Sequence, residues 1–595
     1  MSDAVAVDPF DWRRAASVRD GLLAEFNAAD VLSSGDVAAA RSLGALVGET
    51  ADEVLLAVAL AVRAPRFGHV FADLATVLST ITVEPESGVD VAALPWPALE
   101  PWLAAVAASP LVAVGDEAPD RLPLRLVGSA LYLDRFWQQE RALAVDLRAL
   151  HAPAVSVDEA VLAGGLDRLF TDDAQRRAGE TALRRRLSVI AGGPGTGKTT
   201  TVARIVALLL EQGVSLVALA APTGKAAARL EEALHEAAGS MDVSAETRSA
   251  LQGLSASTLH RLLGWRPGSR SRFRHGRENR LPHDVVIVDE TSMVSLSMMA
   301  ALAEAVRPGA RLVLVGDPGQ LTSVEAGAVL GDIVVSDALA DGVVVLEKVH
   351  RYEAGIAELA TAISAGDADT VLDLLLAGLE DVVWLDVDAA GAHVEELAEV
   401  RDVAVAAASG VVSSASAGDA SGALRALESF RLLCAHRRGP HGAQTWMRVL
   451  EGWLAEGVAG FDPGAEWYVG RPLLVTENDY GLKLYNGDTG VVIDVGDDRV
   501  QAAFERGGEP VTFSPTRLGA VDTVYAMTIH KSQGSQFGTV AVVLPDADSA
   551  MLTRELLYTA VTRARERVVI VGDEAAVRAA ATRSTGRSSG LASRL

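Results

Sequence analysis

Short apolar runs rich in β-branched residues alternate with helical stretches from about residue 185 onward. Each run is followed by a turn and then by apolar positions at helical spacing. Continuous apolar strands that alternate with helices predict a parallel sheet covered on both faces. Five runs form this first series: LSVIAG at 187–192, VSLVALAA at 214–221, VVIV at 285–288, RLVLVG at 311–316 and VVVLEK at 343–348.

A second series of the same kind follows nearer the C-terminus. Its runs are RLLCAH at 431–436, PLLVT at 472–476, TVYAMT at 523–528, TVAVVLP at 539–545 and RVVIVGD at 567–573. The chain is therefore predicted to be an α/β protein with two parallel-sheet units in tandem. Residues 480–518 interrupt the second series with strand-like alternation and an Asn-Gly turn at 486–487, which predicts a small, SH3-like inserted β-barrel.

The remaining segments lack this alternation of strands and helices. Residues 1–150 show apolar spacing typical of helices and no chemical motif, which predicts a helical domain that docks on a partner. Residues 405–424, rich in Ala, Gly and Ser, predict a loop or flexible insertion. A disordered basic tail is predicted from about residue 581. The predicted boundaries are 1–150 for the helical domain, 151–335 for the first core and 336–595 for the second core.

The charge of the chain restricts where nucleic acid could bind. A net charge of −25 argues at first against a nucleic-acid partner, because phosphate contacts rest on Lys and Arg. Binding is local, however, and residues 261–280 hold seven Arg against one Glu. The composition therefore confines any DNA contact to a lined channel.

Cysteine content and hydropathy exclude several other classes of protein. The single cysteine, Cys434, excludes an intramolecular disulfide and any Cys-rich zinc or iron–sulfur site. No apolar run reaches the roughly 18–20 residues that a membrane span needs. The N-terminal residues lack the basic-then-apolar layout of a signal peptide. These features predict a cytoplasmic protein without membrane contact.

The strongest chemical signal is the segment GGPGTGKT at 192–199, which follows the first apolar run and precedes a helical stretch. Its glycines let backbone N–H groups surround phosphates, and the start of a helix adds the positive end of its dipole. The pattern predicts ATP binding, with the Lys198 ammonium on the β- and γ-phosphates and the Thr199 hydroxyl on Mg²⁺. The predicted nucleotide contacts are Gly192, Gly193, Pro194, Gly195, Thr196, Gly197, Lys198, Thr199 and Thr200.

Two further motifs directly follow apolar runs. Asp289 and Glu290 come after VVIV, at the carboxyl edge where parallel sheets bind ligands. Asp289 is predicted to hold Mg²⁺, and Glu290 to orient and deprotonate the attacking water. Gln320, in the GDPGQ turn after RLVLVG, can hydrogen-bond both the γ-phosphate and that water.

Seven segments, in order, resemble the motif set of superfamily 1B helicases. They are APTGKAAARL at 221–230, STLHRLLG at 257–264, VDETS at 288–292, GDPGQL at 316–321, VHRY at 349–352, TIHKSQGSQF at 528–537 and LYTAVTRAR at 557–565. Within that group the chain resembles RecD proteins over roughly residues 160–580. The nearest features are the RLPHD run at 280–284 and NDYGLKLYNGDTGVV at 478–492.

This resemblance implies roles for particular residues. It implies two RecA-like cores that move 5′→3′ along single-stranded DNA using ATP. Gln175 would read the adenine edge, and Arg351 and Arg563 would act as arginine fingers from the second core. DNA-backbone contacts would come from Thr223, Thr258, His260, Thr528 and His530, with a close approach of the chain at Gly534. Thr258 and His260 could equally cap or pack the start of a helix.

The basic segment 266–280 resembles the short hairpin that such helicases insert into the first core as a strand-splitting pin. The pin would extend to about residue 283, and Gly276 would make its turn. An unstructured cationic loop is the alternative interpretation.

The resemblance also implies a function and partners. It implies a helicase subunit of a RecBCD-type helicase–nuclease, or exonuclease V, which acts at double-strand DNA ends in recombinational repair. The expected partners are RecB- and RecC-type subunits, single-stranded DNA and end-containing duplex DNA. No nuclease constellation is present, so DNA cleavage would belong to a partner.

Two alternative functions remain. One is a stand-alone RecD-like helicase, which resembles a longer protein with helix–hairpin–helix repeats; residues 1–150 contain no such Gly-rich hairpins. The other is a non-motor P-loop ATPase, against which the intact Glu290, Gln320, Arg351 and Arg563 argue.

Overall fold

The structure is a computed structural model of the 595-residue chain. It describes residues 14–15, 18, 20–81, 90–117, 121–152, 154–266, 273–348, 354–479, 481–497 and 499–595.

The N-terminal region combines helices with a small sheet. The strands follow the order β1-β4-β3-β2, and every pairing except that of β2 with β3 is antiparallel. The prediction of a helical domain is therefore incomplete, because strands of three or four residues are too short to show a periodicity of two. The elements are α1 (Leu22–Ala28), α2 (Ser34–Val47), α3 (Asp52–Arg63), β1 (Phe71–Asp73), α4 (Val77–Thr80), α5 (Leu99–Ala108), β2 (Val112–Val114), β3 (Leu124–Val127), β4 (Ala130–Leu133) and α6 (Asp134–His151).

A parallel sheet of six strands forms the first core, in the order β10-β5-β9-β8-β6-β7. Helices cover both faces of this sheet, as predicted. The elements are α7 (Glu159–Leu169), α8 (Asp173–Arg184), β5 (Leu187–Gly192), α9 (Lys198–Glu211), β6 (Val217–Ala221), α10 (Gly224–Ser240), α11 (Ala245–Gln252), β7 (Ala256–Thr258), α12 (Leu259–Leu262), β8 (Val285–Val288), α13 (Leu296–Ala305), β9 (Arg311–Gly316), α14 (Val329–Val334) and β10 (Val343–Leu346).

Both predicted boundaries of the first core need correction. Helix α6 packs on this core, because its buried Phe136 and Leu147 share one apolar cluster with Leu312 on β9. At the other boundary, β10 pairs in parallel with β5, although it lies beyond residue 335. In the structure, the first core therefore extends from about residue 134 to about residue 346.

The remaining residues form a second parallel sheet and a separate antiparallel sheet. The parallel sheet has the order β11-β20-β19-β12-β18. Its strand β11 was not among the predicted runs. The elements are α15 (Ala354–Ala365), α16 (Ala368–Leu376), β11 (Val382–Leu385), α17 (Ala398–Ser416), α18 (Ala420–Leu427), β12 (Phe430–Cys434), α19 (Ala443–Gly457), β13 (Pro472–Val475), β14 (Thr489–Asp494), β15 (Val500–Arg506), β16 (Glu509–Phe513), β17 (Val521–Thr523), β18 (Ala526–Thr528), β19 (Phe537–Val543), α20 (Arg554–Val561), β20 (Ala564–Val571), α21 (Glu574–Thr582) and α22 (Leu591–Arg594).

The antiparallel sheet occupies the place of the predicted barrel. Its order is β16-β15-β14-β13-β17, with β16 and β17 at its two edges. Within the described residues this sheet is open, so the closed barrel is not confirmed. The run PLLVT, predicted to join the parallel sheet, forms β13 of this antiparallel sheet instead.

Two segments predicted to lack regular structure are ordered. Residues 405–424 lie mostly in α17 and α18, whose buried Val411 and Leu424 pack against Val491 and Ala503 of the antiparallel sheet. Ala has the highest helix propensity of all residues, and this outweighs the Gly and Ser content.

The predicted disordered tail is also ordered. Ser589 donates to Glu140 on α6 (3.0 Å) and to Asp332 on α14 (2.7 Å), and Leu591 is fully buried. The segment from 583 onward thus connects α21 of the second core with the first core. No helix in the described part of the chain is long and apolar enough to cross a membrane.

Candidate functional site

Three loops that carry predicted chemistry lie side by side on the first sheet. Strands β5, β9 and β8 are neighbours, and they lead into residues 192–199, into Gln320 and into the Asp289–Glu290 pair. Because these strands are parallel, their carboxyl ends share one edge of the sheet. The structure therefore brings the predicted phosphate, metal and water contacts to one place.

Residues 192–199, the P-loop, have the backbone that their glycines permit. Gly195 and Gly197 have φ values of 80° and 81°, a left-handed conformation that other residues rarely adopt. The Lys198 ammonium donates to the carbonyl oxygens of Gly192 (2.6 Å) and Gly193 (2.8 Å). Lys198 also begins helix α9, so Thr199 and Thr200 lie in its first turn. The ammonium and the helix start therefore both lie where phosphates would enter.

Asp289 and Glu290 lie near the P-loop, where Asp289 is partly buried and Glu290 has a strained backbone. Burial, and then the charge of Glu290, raise the pKa of Asp289 well above its usual range, while the Lys198 ammonium opposes the shift. Glu290 has a φ of 51°, a left-handed backbone that costs a non-glycine residue about 1–3 kcal/mol. Such strain clusters at functional sites. The Asp289 carboxylate and the Thr199 hydroxyl offer oxygen atoms, the donors that Mg²⁺ prefers, and their binding of Mg²⁺ stays a prediction.

Gln175 lies against the P-loop. Its side-chain amide donates to the carbonyl oxygen of Thr196 (3.4 Å), and its Oε1 accepts from Arg204 (2.8 Å). A Cβ at Gly197 would lie only 2.6 Å from its Nε2 atom. The structure thus places Gln175 beside the nucleotide loop, and its contact with adenine stays a prediction.

Of the two predicted arginine fingers, the structure describes Arg563. Arg351 lies outside the described residues. Arg563 follows α20 and is 3% exposed. Its guanidinium donates to the carbonyl oxygens of Thr559 (3.1 Å) and Ser535 (3.1 Å), both in the second core. A role at the γ-phosphate would require Arg563 to exchange these partners.

The threonines predicted to contact DNA all cap helices that begin at carboxyl ends of strands. Thr223 follows β6 and accepts from the amide of Ala226, Thr258 ends β7 and caps α12, and Thr528 ends β18 and caps a short 3₁₀ helix. The open question about Thr258 is thus answered in part, because it caps a helix. DNA contact by these residues remains a prediction.

The two predicted histidines are partly removed from water. Burial lowers the pKa of His260, whose ring lies 6.0 Å from that of Phe273. Burial also lowers the pKa of His530, and the charge of Arg587 adds to the effect. Both rings are therefore more readily neutral than an exposed histidine.

The predicted pin is partly visible. Trp265 pairs with Phe273, and Gly276 pairs with Asn279 across a tight turn. Residues 267–272 lie outside the described part of the chain. Arg277, within that turn, forms an ion pair with Asp146 on α6 (2.8 Å). At least one arginine of this basic segment therefore forms an ion pair within the protein while staying half exposed.

Sequence reasoning missed a group of residues that join the two cores. On α10, the Lys225 ammonium donates to the Ser535 hydroxyl (2.8 Å) and to the carbonyl oxygen of Gly487 (3.1 Å). Arg229, one helical turn later, donates to the carbonyl oxygen of Gly534. Their spacing of four residues, which puts both side chains on one helix face, was the available signal.

Three family models match the chain. Residues 28–132 match the RecBCD enzyme subunit RecD, N-terminal domain. Residues 171–379 match the AAA domain, and residues 523–571 match the UvrD-like helicase C-terminal domain.

Individual relatives cover more of the chain. The RecBCD enzyme subunit RecD of Mycolicibacterium smegmatis is 50% identical over 575 residues, which are 95% of this chain and 98% of that protein. The ATP-dependent RecD2 DNA helicase of Deinococcus radiodurans is 34% identical over 67% of this chain but only 48% of that protein. Among solved structures, the Pif1 helicase of Candida albicans aligns with a TM-score of 0.38 at 16% identity, covering 68% of this chain and 95% of that one.

Proposed function

Because the chain belongs to the family of RecD subunits of the RecBCD enzyme, we propose that it is an ATP-hydrolysing DNA helicase that moves 5′→3′ along single-stranded DNA. It would work in the cytoplasm as one subunit of a RecBCD-type helicase–nuclease. This complex would act at double-strand DNA ends during recombinational repair. RecB- and RecC-type subunits would complete the complex and supply the nuclease.

One observation carries this proposal. The loop after β9, at the same sheet edge as the P-loop, forms hydrogen bonds with the second parallel-sheet unit. The amide of Leu321, one residue after Gln320, donates to the Thr559 hydroxyl of α20 (2.9 Å). The carbonyl oxygen of Leu321 accepts from the Gln533 side chain (3.0 Å). We take the two units as RecA-like cores, between which ATP binds.

The residues of the first core suit ATP hydrolysis. Lys198 would neutralise phosphate charge that develops as the γ-phosphoryl group leaves. Glu290 would accept a proton from the attacking water, and Gln320 would orient that water. Mg²⁺, held by Thr199 and Asp289, would neutralise charge on the β- and γ-phosphates.

Two cores allow hydrolysis to become movement. With ATP bound, the γ-phosphate would attract Arg563 and Arg351 from the second core and close the cleft. Hydrolysis would remove that attraction and open it. Thr223 and Thr528, at corresponding edges of the two sheets, would hold DNA phosphates on either side of the cleft. Contacts of this kind predict little sequence preference.

The N-terminal region suits a protein partner better than DNA. Residues 1–133, which precede α6, hold 8 Arg, no Lys and 18 Asp or Glu, a net charge of −10. An acidic surface complements a basic protein surface and repels phosphates. We propose that this region docks on the other subunits. The stand-alone helicase is the less favoured reading, since the chain spans about half of the RecD2 relative but 98% of the mycobacterial RecD subunit.

A single substitution tests the nucleotide assignment. Lys198→Ala should abolish ATP turnover by the purified chain and leave single-stranded DNA binding within about threefold, because Lys198 contacts phosphates of the nucleotide and not DNA. The readouts are steady-state ATPase activity with single-stranded DNA present and fluorescence anisotropy of a labelled oligonucleotide. ATPase activity above about a tenth of wild type would contradict the assignment.

A further inference from the structure

One buried carboxylate joins the two cores directly. Asp317, on the loop after β9, is 3% exposed. Its Oδ2 atom accepts from the side-chain amide of Gln320 (2.9 Å) and from the Tyr558 hydroxyl of α20 (3.2 Å). Its Oδ1 atom accepts from the amide of Gly319 (3.0 Å). The residue proposed to sense the γ-phosphate and a tyrosine of the second core therefore share one acceptor atom.

The tyrosine reaches the nucleotide site itself. A Cβ on Gly193 of the P-loop would lie 2.8 Å from the Tyr558 hydroxyl. That hydroxyl is thus located between the P-loop and the loop that carries Gln320. The next residue, Thr559, accepts from the amide of Leu321, so two consecutive residues of α20 bind the same loop of the first core.

The same helix leads to the proposed arginine finger. Arg563 comes five residues after Tyr558, and its Nε atom donates to the carbonyl oxygen of Thr559. Hydrogen bonds therefore join Gln320 to Asp317 and Asp317 to Tyr558, and the backbone of α20 leads from Tyr558 to Thr559, whose carbonyl oxygen binds Arg563. Buried networks of this kind hold their members in defined positions, because an unpaired member would be costly.

We propose that Asp317 and Tyr558 are positioning residues that transmit the state of the γ-phosphate site to Arg563. The proposal rests on the proposed ATPase function. When Gln320 turns toward the γ-phosphate, its amide withdraws from Asp317, and Asp317 then keeps Gly319 and Tyr558 as donors. The tighter bond to Tyr558 draws α20, and Arg563 with it, toward the nucleotide. Loss of the phosphate returns Gln320 to Asp317 and relaxes the helix.

The test removes one hydroxyl and leaves the packing intact. Tyr558→Phe keeps the ring in its apolar cluster and deletes the hydroxyl that bonds Asp317. We expect kcat for ATP with saturating single-stranded DNA to fall about tenfold, while KM for ATP changes less than about twofold. Asp317→Asn, which keeps the shape of the side chain, should reproduce this split between kcat and KM.

A matched control addresses structural damage. Tyr468→Phe deletes another buried tyrosine hydroxyl of the same half of the chain, one bonded to Tyr525 (2.7 Å) and outside the nucleotide site. It should leave kcat within about twofold of wild type. Thermal unfolding and binding of a fluorescent ATP analogue, measured for every variant, report whether the fold and the nucleotide site persist.

A second substitution shows whether Tyr558 acts through Arg563. In an Arg563→Ala background, Tyr558→Phe should cause no further loss of kcat, because the group it positions is gone. The proposal is overturned if Tyr558→Phe and Asp317→Asn both keep wild-type kcat. It is also overturned if the effects of Tyr558→Phe and Arg563→Ala multiply. A wild-type chain without DNA-stimulated ATPase activity would instead contradict the proposed function.

Discussion

The ammonium of Lys225 in the first core donates to the hydroxyl of Ser535 in the second core over 2.8 Å. The carbonyl oxygen of the same serine accepts from Arg563 at 3.1 Å. Ser535 therefore holds a cation of the first core and the proposed arginine finger at once. Loss of water around the Lys225 ammonium lowers its pKa to about 7, although the residue as a whole is only partly buried.

Breaking this contact should weaken the coupling between DNA and ATP hydrolysis. Lys225 lies two residues after Thr223, so it links the proposed DNA edge of the first core to the loop that holds Arg563. We expect Lys225→Met to lower DNA-stimulated kcat about tenfold, the cost of losing hydrogen bonds from a charged donor. ATPase activity measured with and without single-stranded DNA gives the stimulation factor.

The partner of Lys225 provides the check. Ser535→Ala should lower the stimulation factor in the same direction, and the double variant should be no worse than Lys225→Met alone. Ser514→Ala changes an exposed serine that directly follows β16; it is the matched control and should behave as wild type. Strictly additive effects of Lys225→Met and Ser535→Ala would show that these two residues do not act through one contact.

Arg563→Ala should lower kcat far more than it weakens ATP binding. An arginine finger stabilises charge that appears only in the transition state, an effect of about 10³-fold or more in phosphoryl transfer. The nucleotide Kd, measured with a fluorescent analogue, should change less than about threefold. A large change in Kd with an unchanged kcat would show that Arg563 only binds the nucleotide.

Two truncations separate docking from folding. The N-terminal helices and sheet have an apolar core of their own, whereas α6 shares the core of the first sheet. Deleting residues 1–133 should therefore keep DNA-stimulated ATPase activity and abolish co-purification with RecB- and RecC-type subunits. Deleting residues 1–154 removes α6, exposes one face of the first sheet and should give insoluble protein. Retained co-purification after the first deletion would contradict the docking role.

Local patterns predicted most strands of the two parallel sheets, all except β7 and β11, but not which strands are neighbours. The runs at β5, β8 and β9 are buried throughout, and such runs can be recognised from composition alone. β13 has the same composition, yet it pairs antiparallel with β14. Which strand lies next to a run depends on contacts distant in sequence, which periodicity does not contain.

The same limit applies to the site. The P-loop and the Asp289–Glu290 pair each lie in one short segment, so their spacing was sufficient to find them. The contacts between the cores join residues far apart: Asp317 and Tyr558 are 241 positions apart, and Lys225 and Ser535 are 310 apart. Each of these residues alone resembles an ordinary helix or loop residue. Their roles emerge only once the two sheets are placed against each other.

The direction of movement along DNA tests the central claim most directly. The measurement is ATP-dependent displacement of streptavidin from single-stranded oligonucleotides that carry biotin at the 3′ end or at the 5′ end, with Lys198→Ala as the inactive control. A helicase that travels 5′→3′ runs into the 3′ end, so we predict much faster displacement from the 3′-biotinylated strand. Preferential displacement from the 5′ end would contradict 5′→3′ movement. Displacement by Lys198→Ala as fast as that by the wild-type chain would contradict its dependence on ATP hydrolysis.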